Sequence, residues 1–369
     1  MRILLIGVYP LDRQTSMPRY VDLLQRGLES RGHAITVLKP TPRFGRLCQS
    51  GALGKWLGYL DKYLVFPIEL LSLRARWDRI HICDNSSAIY LGWLPKAAVS
   101  ITCHDVMAIL AAEGKFPREE VGRRISWTGR LLQAWIKRNL IRVPKVVCDS
   151  DATRQALMSL GAVGRLETIH IPLGRTFAPV NSARAGDLLR KAAVPAGAPY
   201  FLHVGGNQWY KNRVNVIRIF AELRKSPAFH RHHLILAGKA WTDPMRLACA
   251  RENVLDCCHE VVDATDDEIE TLYSGAEALL FPSLHEGFGW PIIEAQSCAT
   301  LVITSNREPM MEVAGEGAIF VDPLDPRQAA FAIADAWPRR EKIRLDGVRN
   351  SEAFNPTQYF DAFERFLLS

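Results

Sequence analysis

Two glutamates lie on either side of a short run of glycine, aromatic and proline residues. In the segment "HEGFGWPIIEAQS", Glu286 comes before Gly287 and Gly289, and Glu294 comes after Pro291. We expect a helix that begins at Pro291, because proline lacks the N–H that the first helical turn leaves unbonded. Glycines let a ligand approach the backbone closely, and free amides at a helix start attract anions such as phosphate. The segment therefore predicts a loop and a helix start that bind a phosphate.

The two carboxylates suit different partners on either side of that phosphate. Glu294 comes in the first turn of the predicted helix, and its side chain leans back toward the helix start, where it suits the vicinal hydroxyls of a ribose. Glu286 comes before the glycines and lies where a second polyol would bind. A phosphate between two polyols describes a nucleotide sugar. Two alternatives stay open: Glu294 stabilises the helix dipole, or the two carboxylates act as a general acid and base.

Apolar runs that are typical of buried parallel strands alternate with segments of helical periodicity. This alternation predicts an α/β fold whose parallel sheets are covered by helices on both faces. Glu286 follows one of these runs, so we expect it at the carboxyl end of a strand, where open α/β sheets bind ligands. The predicted strands are 2–8, 34–38, 79–83, 98–103, 145–150, 199–207, 232–238, 278–283, 300–305 and 317–323.

The chain of 369 residues is too long for one ordinary core and predicts two domains. The strand pattern restarts near Pro199 after a weakly patterned stretch. We expect doubly wound, Rossmann-like domains at 1–180 and 181–350 that face each other across a cleft. The remaining segment, 351–369, has one apolar helical face and is expected to pack back on the first domain. That face consists of Tyr359, Phe360, Phe363, Phe366 and Leu367.

The net charge of +7 is concentrated in one part of the first domain. Segment 115–145 contains nine basic and two acidic residues, with Trp127 and Trp135 among them. A basic segment with interleaved tryptophans predicts an anionic membrane surface or an anionic acceptor as partner. A solvated basic helix and a nucleic-acid site are the alternatives; we expect no nucleic-acid partner. The amphipathic stretch 53–71 is compatible with lipid or acceptor contact and equally with core packing.

The cysteines and the hydropathy predict a cytoplasmic protein. The eight cysteines form no CxxC motif, and the group around Cys257, Cys258 and His259 fits no zinc pattern. We therefore expect reduced thiols. The apolar start of the chain is too short for a signal peptide, and no apolar run reaches the length of a membrane span. Attachment to the inner face of the membrane through 115–145 would make the protein peripheral.

The segment "FPSLHEGFGWPIIEAQSCATLVITSNREPMMEVAGEGAIFVDP" (281–323) resembles the donor-site signature of the retaining glycosyltransferases of family 4. The resemblance implies the GT-B architecture, with an acceptor-side N-terminal domain and a C-terminal domain that binds a nucleotide sugar. Further motifs of the family follow in order along nearly the whole chain. They are "DRIHICDNSSAIY" (78–90), "TCHDV" (102–106), "VVCDSDATRQAL" (146–157), "FLHVGGNQWYKN" (201–212) and "LILAGK" (234–239).

The resemblance implies a role for each matching residue. Glu294 would bind the ribose hydroxyls, and Lys211 would neutralise the diphosphate and improve it as a leaving group. Glu286 would hold the donor sugar, and His104 would reach into the cleft and touch the donor sugar or the acceptor. The other implied donor-binding residues are Gly287, Phe288, Gly289, Gly205, Gly206 and Asn212. The implied acceptor or cleft residues are Asp105 and Arg19.

The chain departs from the family pattern in three places. The arginine that usually comes shortly before the lysine is absent from 205–210, and Arg213 is the nearest substitute. The first loop, "DRQTSMPRY", has no Gly-Gly pair, which leaves Arg19 free to bind an anionic acceptor instead. Ala299 and its neighbours replace a Gly-x-Pro. These departures keep open a non-catalytic relative that binds nucleotide sugars.

The sequence predicts a retaining glycosyltransferase that moves a sugar from a nucleoside diphosphate to an acceptor hydroxyl. GDP-mannose is the first expectation and a UDP-sugar the second. The acceptor would be a carbohydrate or a lipid-linked carbohydrate in bacterial polysaccharide, lipopolysaccharide or glycolipid synthesis. The resemblance implies neither a metal nor another cofactor. A nicotinamide oxidoreductase would need G-x-G-x-x-G after the first strand, and "IGVYPL" does not supply it.

Overall fold

The computed structural model describes residues 1–12, 16–48, 50–71, 77–117, 125–173, 177–181 and 185–369. The described residues form two compact units. One contains those of Met1–Phe116, Arg123–Gly174 and Pro356–Ser369, and the other contains those of Pro117–Gly122 and Arg175–Asn355. The units therefore divide near 175 and 356, a few residues from the predicted domain boundaries at 181 and 351.

The first unit is built on a six-stranded parallel sheet with the order β2-β1-β3-β4-β5-β6. Its central strands are largely apolar and buried because helices cover both faces; in β1, Ile3 to Ile6 are all buried. The strands are β1 (Arg2–Ile6), β2 (Ala34–Leu38), β3 (Arg79–Ile82), β4 (Val99–Cys103), β5 (Lys145–Cys148) and β6 (Arg165–Thr168).

The helices of the first unit include one long interrupted segment. A five-residue π-helix, Asp61–Val65, joins α2 to α3, so that 51–71 is helical throughout. A 3-10 segment, Asn85–Trp93, packs against α5. The α-helices of this unit are α1 (Ser16–Glu29), α2 (Gly51–Leu60), α3 (Phe66–Leu71), α4 (Met107–Ala112), α5 (Trp127–Leu140), α6 (Asp151–Ser159) and α15 (Pro356–Leu368).

The C-terminal helix α15 belongs to the first unit and packs on α1. The Tyr20 hydroxyl lies 2.9 Å from the Tyr359 hydroxyl. A Cβ on Gly27 would lie 1.9 Å from the Phe360 ring, so only glycine permits this close approach. Arg31 adds an ion pair of 2.6 Å to Asp361. The apolar face that the sequence predicts for this helix is buried.

The second unit is built on another six-stranded parallel sheet, with the order β12-β11-β10-β7-β8-β9. Strands β7 and β10 are neighbours at its centre, and their carboxyl ends carry the loops that contain most of the predicted donor residues. The strands are β7 (Tyr200–Gly205), β8 (His233–Gly238), β9 (Cys258–Val262), β10 (Ala278–Phe281), β11 (Leu301–Ser305) and β12 (Ala318–Val321).

Helices cover the second sheet. One group, α8, α9 and α13, packs together, and α11 packs on α14 and α10. The α-helices are α7 (Ala185–Lys191), α8 (Arg213–Arg224), α9 (Asp243–Arg251), α10 (Asp266–Gly275), α11 (Trp290–Ser297), α12 (Met310–Ala314), α13 (Pro326–Ala336) and α14 (Arg340–Ser351). The predicted α/β fold with two Rossmann-like parallel sheets is confirmed. Strands β6 and β9 were not predicted.

Candidate functional site

The loop between β10 and α11 contains both glutamates of the opening motif. Gly289 caps α11 with φ 108°, a left-handed conformation that favours glycine. The helix begins at Trp290, and Pro291 is its second residue. The prediction that Pro291 comes first is therefore wrong by one position, because Trp290 already has helical dihedrals. Glu294 is the fifth helical residue and lies just beyond the first turn.

Glu294 is buried and accepts a hydrogen bond from a tyrosine. Glu294 is only 6% exposed. The Tyr273 hydroxyl donates a hydrogen bond of 3.0 Å to Glu294 Oε2. Tyr273 lies on α10 and is fully buried. The phenol therefore fixes the direction of the carboxylate and uses one of its oxygens. Sequence reasoning did not find Tyr273, because nothing in "TLYSGA" links it to a residue 21 positions away.

Lys211 and Glu286 form a buried ion pair. Lys211 Nζ lies 2.7 Å and 3.0 Å from the two carboxylate oxygens of Glu286, and the side chains are 15% and 8% exposed. The ammonium also lies 5.0 Å from the centroid of the Phe281 ring. The pair joins the loop after β7 to the loop after β10. The ion pair holds the Lys211 ammonium in a largely buried position. An ammonium has three N–H groups, and the two Glu286 oxygens account for two of them.

The remaining residues after β7 shape this loop. Asn212 has left-handed dihedrals, φ 56° and ψ 30°, and its amide donates to the carbonyls of Pro282 (2.9 Å) and Pro323 (2.8 Å). Both amide hydrogens are thus used in fastening three loops together. Gly205 ends β7, and a Cβ there would lie 3.4 Å from Lys211 Cδ. Gly206 follows directly. The structure therefore places these residues around Lys211.

Arg213, the suggested substitute for the missing family arginine, is buried at the start of α8. Its guanidinium donates to Asn207 and, over 2.8 Å, to the carbonyl of Lys239 after β8. Burial lowers the pKa of Arg213 to about 10. Its Nε and Nη2 are buried without a hydrogen-bond partner among the described residues. The suggested replacement of the family arginine by Arg213 stays a prediction.

Phe288 anchors the glycine loop by its side chain. The residue is buried, and its ring meets the Phe354 ring edge to face at a centroid distance of 5.7 Å. Phe288 therefore fixes the loop through packing. Gly287 and Gly289 on either side of it have no side chains, so the loop backbone stays open to close approach by a ligand.

In the first unit, His104 lies at the carboxyl end of β4 in a buried polar cluster. Its Nδ1 donates to Asp149 Oδ2 over 2.5 Å, and its Nε2 donates to the carbonyl of Cys83 over 2.9 Å. The edge of the imidazole also meets the Tyr20 ring. Burial alone would lower the pKa of His104, but Asp149 and the carbonyl outweigh it and raise the pKa to about 9. Both ring nitrogens are therefore protonated and occupied at neutral pH.

The two residues predicted near His104 have different surroundings. Burial raises the pKa of Asp105 to about 6, although its carboxylate accepts a hydrogen bond of 2.8 Å from the Met107 amide. Arg19 lies half-buried on α1. Asp149 itself was missed by sequence reasoning. Its signal was present, because Asp149 and Asp151 flank Ser150 directly after β5, at the same sheet edge as His104.

The Asp149 contact makes a testable prediction about proton binding. In the native protein the His104 imidazole should titrate near pH 9, and in Asp149→Asn its pKa should fall, because the carboxylate that Nδ1 contacts is gone while burial remains. A histidine with a raised folded pKa stabilises the fold below its unfolded pKa of about 6.5 and loses this effect as pH rises through the folded value. The thermal stability of the native protein should therefore fall between neutral pH and pH 9. The fall should be smaller in Asp149→Asn.

The measurement is a residue-specific titration of the imidazole by NMR, with Asp151→Asn as the matched control. Asp151 lies two positions along and pairs with Arg154 rather than with His104. A native His104 that titrates near its ordinary pKa would contradict the assigned ion pair.

Two features are absent from the described residues. In that part of the chain, no three or more histidine, cysteine, aspartate or glutamate side chains are grouped as metal ligands. Likewise, no helix there combines the length and the apolar character that crossing a membrane requires.

The two six-stranded parallel sheets are those of the GT-B fold. Sucrose-phosphate synthase from Thermosynechococcus elongatus has the same fold, with a TM-score of 0.74 at 19% identity over 99% of this chain and 98% of that one. Two family profiles match along the sequence: "Glycosyl transferases group 1" over 187–344 and "Glycosyltransferase Family 4" over 17–173. The chain belongs to this family, the group 1 (family 4) glycosyltransferases.

Two curated relatives are similar in sequence. O-antigen chain mannosyltransferase B of Escherichia coli is 25% identical over 330 residues, which cover 84% of this chain and 83% of the relative. O-antigen chain mannosyltransferase RfbU of Salmonella typhimurium is 30% identical over 168 residues, 42% of each chain.

Proposed function

We propose that this glycosyltransferase transfers mannose from GDP-mannose, with retention of configuration, to a hydroxyl of a carbohydrate acceptor. The names of the two curated relatives support mannose as the sugar. The observation that carries the proposal is the buried ion pair between Lys211 and Glu286. Glu286 lies four residues before the start of α11. A UDP-sugar is the second candidate donor.

The donor is expected to bind across the loops after β7 and β10. The Lys211 ammonium, held by Glu286, would meet the diphosphate and stabilise the charge that grows on it as the sugar leaves. Glu294, directed by Tyr273, would accept hydrogen bonds from the ribose hydroxyls. The backbone of 287–289 would line the sugar. Glu286 then has two tasks, which are to position the lysine and to bind sugar hydroxyls.

The chemical step is proposed to need no metal and no covalent intermediate with the protein. The bond from the anomeric carbon to the phosphate oxygen breaks, and a bond from the same carbon to the acceptor oxygen forms on the same face. The acceptor proton passes to the leaving phosphate. Lys211 takes the place of a divalent cation by supplying a fixed positive charge.

His104 is proposed to contribute charge rather than to exchange protons. Both of its ring N–H groups donate to fixed acceptors, Asp149 and the Cys83 carbonyl, so neither N–H is available to a substrate. The imidazolium leaves a fixed positive charge at the carboxyl end of β4. This role differs from direct contact with the donor sugar through a ring nitrogen.

The acceptor is proposed to bind in the first unit, in polysaccharide, lipopolysaccharide or glycolipid synthesis. A cavity of about 360 Å³ lies there between the loop after β1 and the helix α2. It suits a sugar, because aromatic faces and charged groups line it together. The aromatic and charged residues that line the cavity are Tyr9, Asp12, Lys55, Tyr59 and Lys62. The eight free cysteines support a cytoplasmic location.

The test is a transfer assay with GDP-mannose, UDP-glucose and UDP-galactose in the presence of a chelator. We expect turnover with GDP-mannose that the chelator leaves unchanged and an α-linked product by NMR of the anomeric proton. Lys211→Ala should abolish the reaction, whereas Lys239→Ala, an exposed lysine after β8, should not. Binding of a nucleotide sugar without turnover on any acceptor would favour the non-catalytic relative instead.

A further inference from the structure

The helical segment 51–71 exposes a continuous apolar stripe to solvent. Six large apolar residues recur at intervals of three or four, so they share one face of the segment. They are between 42% and 63% exposed. Soluble proteins rarely leave a contiguous apolar surface of this kind without a partner. The stripe consists of Leu53, Trp56, Leu60, Leu64, Ile68 and Leu71.

The same segment packs on the protein through its opposite face. Asp61 is fully buried there and accepts hydrogen bonds from the Tyr9 hydroxyl (2.7 Å) and from the amides of Phe44 and Gly45 (both 2.9 Å). Phe66 is also buried on this side. The exposed stripe is therefore not the face that holds the segment in place.

A second exposed apolar row lies on α5. Trp127, Leu131 and Trp135 recur every four residues, and Trp127 is 72% exposed. Trp135 contacts the Tyr63 ring at a centroid distance of 5.6 Å, and Tyr63 in turn contacts Tyr59 at 5.3 Å. These rings connect the two rows into one surface. We call the six residues of the stripe together with the three of this row the aromatic face.

Exposed cations surround the aromatic face. Lys55 lies on α2 next to Trp56, and Arg130 and Arg138 lie on α5. The sequence from 39 to 60 contains four basic and no acidic residues, and the sequence from 125 to 145 contains five basic and no acidic residues. A second copy of this chain would bring like charges together here. An anionic surface would complement them.

We propose that the aromatic face docks on an anionic lipid bilayer. Its leucines and isoleucine would enter the boundary between headgroups and acyl chains, its tryptophans would lie at the headgroup level, and the lysine and arginines would meet lipid phosphates. The basic segment 115–145 that the sequence indicated contributes α5, and 51–71 supplies most of the apolar surface. Arg118, Arg123 and Arg124 of that segment lie outside the described residues.

The test is sedimentation of the full chain with phosphatidylcholine vesicles, with and without phosphatidylglycerol. We expect binding to the vesicles that contain phosphatidylglycerol, and release at high salt. The triple variant Trp56→Ser/Leu60→Ser/Leu64→Ser should bind about tenfold more weakly or worse, because binding scales with the apolar area inserted. These side chains are exposed, so the substitutions leave the core intact.

A matched triple variant controls for a general loss of surface hydrophobicity. Leu247→Ser, Phe331→Ser and Leu345→Ser replace three equally exposed apolar residues of the second unit and should leave vesicle binding unchanged. No binding to phosphatidylglycerol vesicles, or equal loss in both triple variants, would overturn the proposal. The proposal would also be overturned if the native protein were a dimer in sedimentation velocity and only Trp56→Ser/Leu60→Ser/Leu64→Ser were a monomer. Sedimentation needs neither donor nor acceptor, so its failure would leave the proposed function untouched.

Discussion

Lys211→Met is expected to lower kcat/KM by about 10²- to 10³-fold, because it removes the positive charge that would stabilise the leaving diphosphate. The same substitution should lower the free energy of unfolding of the second unit by about 3–5 kcal/mol. The reason is that Glu286 would remain buried as a charge without its partner, since both side chains are largely shielded from water. The measurements are steady-state kinetics, and denaturant unfolding followed by amide exchange in β7 and β10.

The double variant Lys211→Met/Glu286→Gln separates the two effects. It removes both charges, so much of the stability should return, but activity should remain low because the diphosphate still lacks its cation. Lys239→Met serves as the control, since its ion pair with Asp263 is exposed and should contribute less than about 1 kcal/mol. A stable but inactive double variant fits the account. Near-native activity in Lys211→Met would contradict it.

The sequence located ten of the strands because buried parallel strands are largely apolar. The two that it missed, β6 and β9, lie at sheet edges, and most of their residues are half-buried or exposed. An edge strand has a neighbour on one side only, so "RLET" and "CHEVV" keep polar residues and lose the apolar signal. The other two edge strands, β2 (AITVL) and β12 (AIFV), are largely apolar and were located, so an edge strand is missed only where its residues are polar.

The residues of the proposed donor site were named by resemblance, but their contacts were not predictable. Glu286 and Lys211 are 75 positions apart, and their distance depends on how two loops pack. The supporting contacts of Tyr273 and Asp149 are likewise long-range and have no local periodicity. The one-residue error at Pro291 has a simpler cause, since proline fits either of the first two positions of a helix.

The stripe on 51–71 shows a different limit of sequence patterns. A helix that packs an apolar face on a core and a helix that exposes one have the same spacing of apolar residues. In this segment both occur, because Gly58, Asp61, Phe66 and Leu70 face the protein, while the six residues of the stripe face solvent. Only the fold distinguishes the two faces.

Glu294→Ala is expected to abolish stabilisation of the protein by nucleotide. A ligand that binds only the native state at 100 times its dissociation constant adds about 2.7 kcal/mol to the free energy of unfolding. The buried carboxylate of Glu294 is the proposed acceptor for the ribose hydroxyls, so alanine should remove most of that gain. Tyr273→Phe, which frees the carboxylate to rotate, should lose part of it. Glu316→Ala, at an exposed glutamate of the same unit, should lose none.

The measurement that tests the donor site most directly is a thermal-shift titration of the native protein and Glu294→Ala with GDP, UDP, ADP and dTDP, without divalent metal. The account predicts a shift with one nucleotide, GDP first, that disappears in Glu294→Ala and persists in Glu316→Ala. That result would identify the base and locate its ribose. No shift with any of the four nucleotides, or an equal shift in Glu294→Ala, would contradict the assignment of the donor site to the loops after β7 and β10.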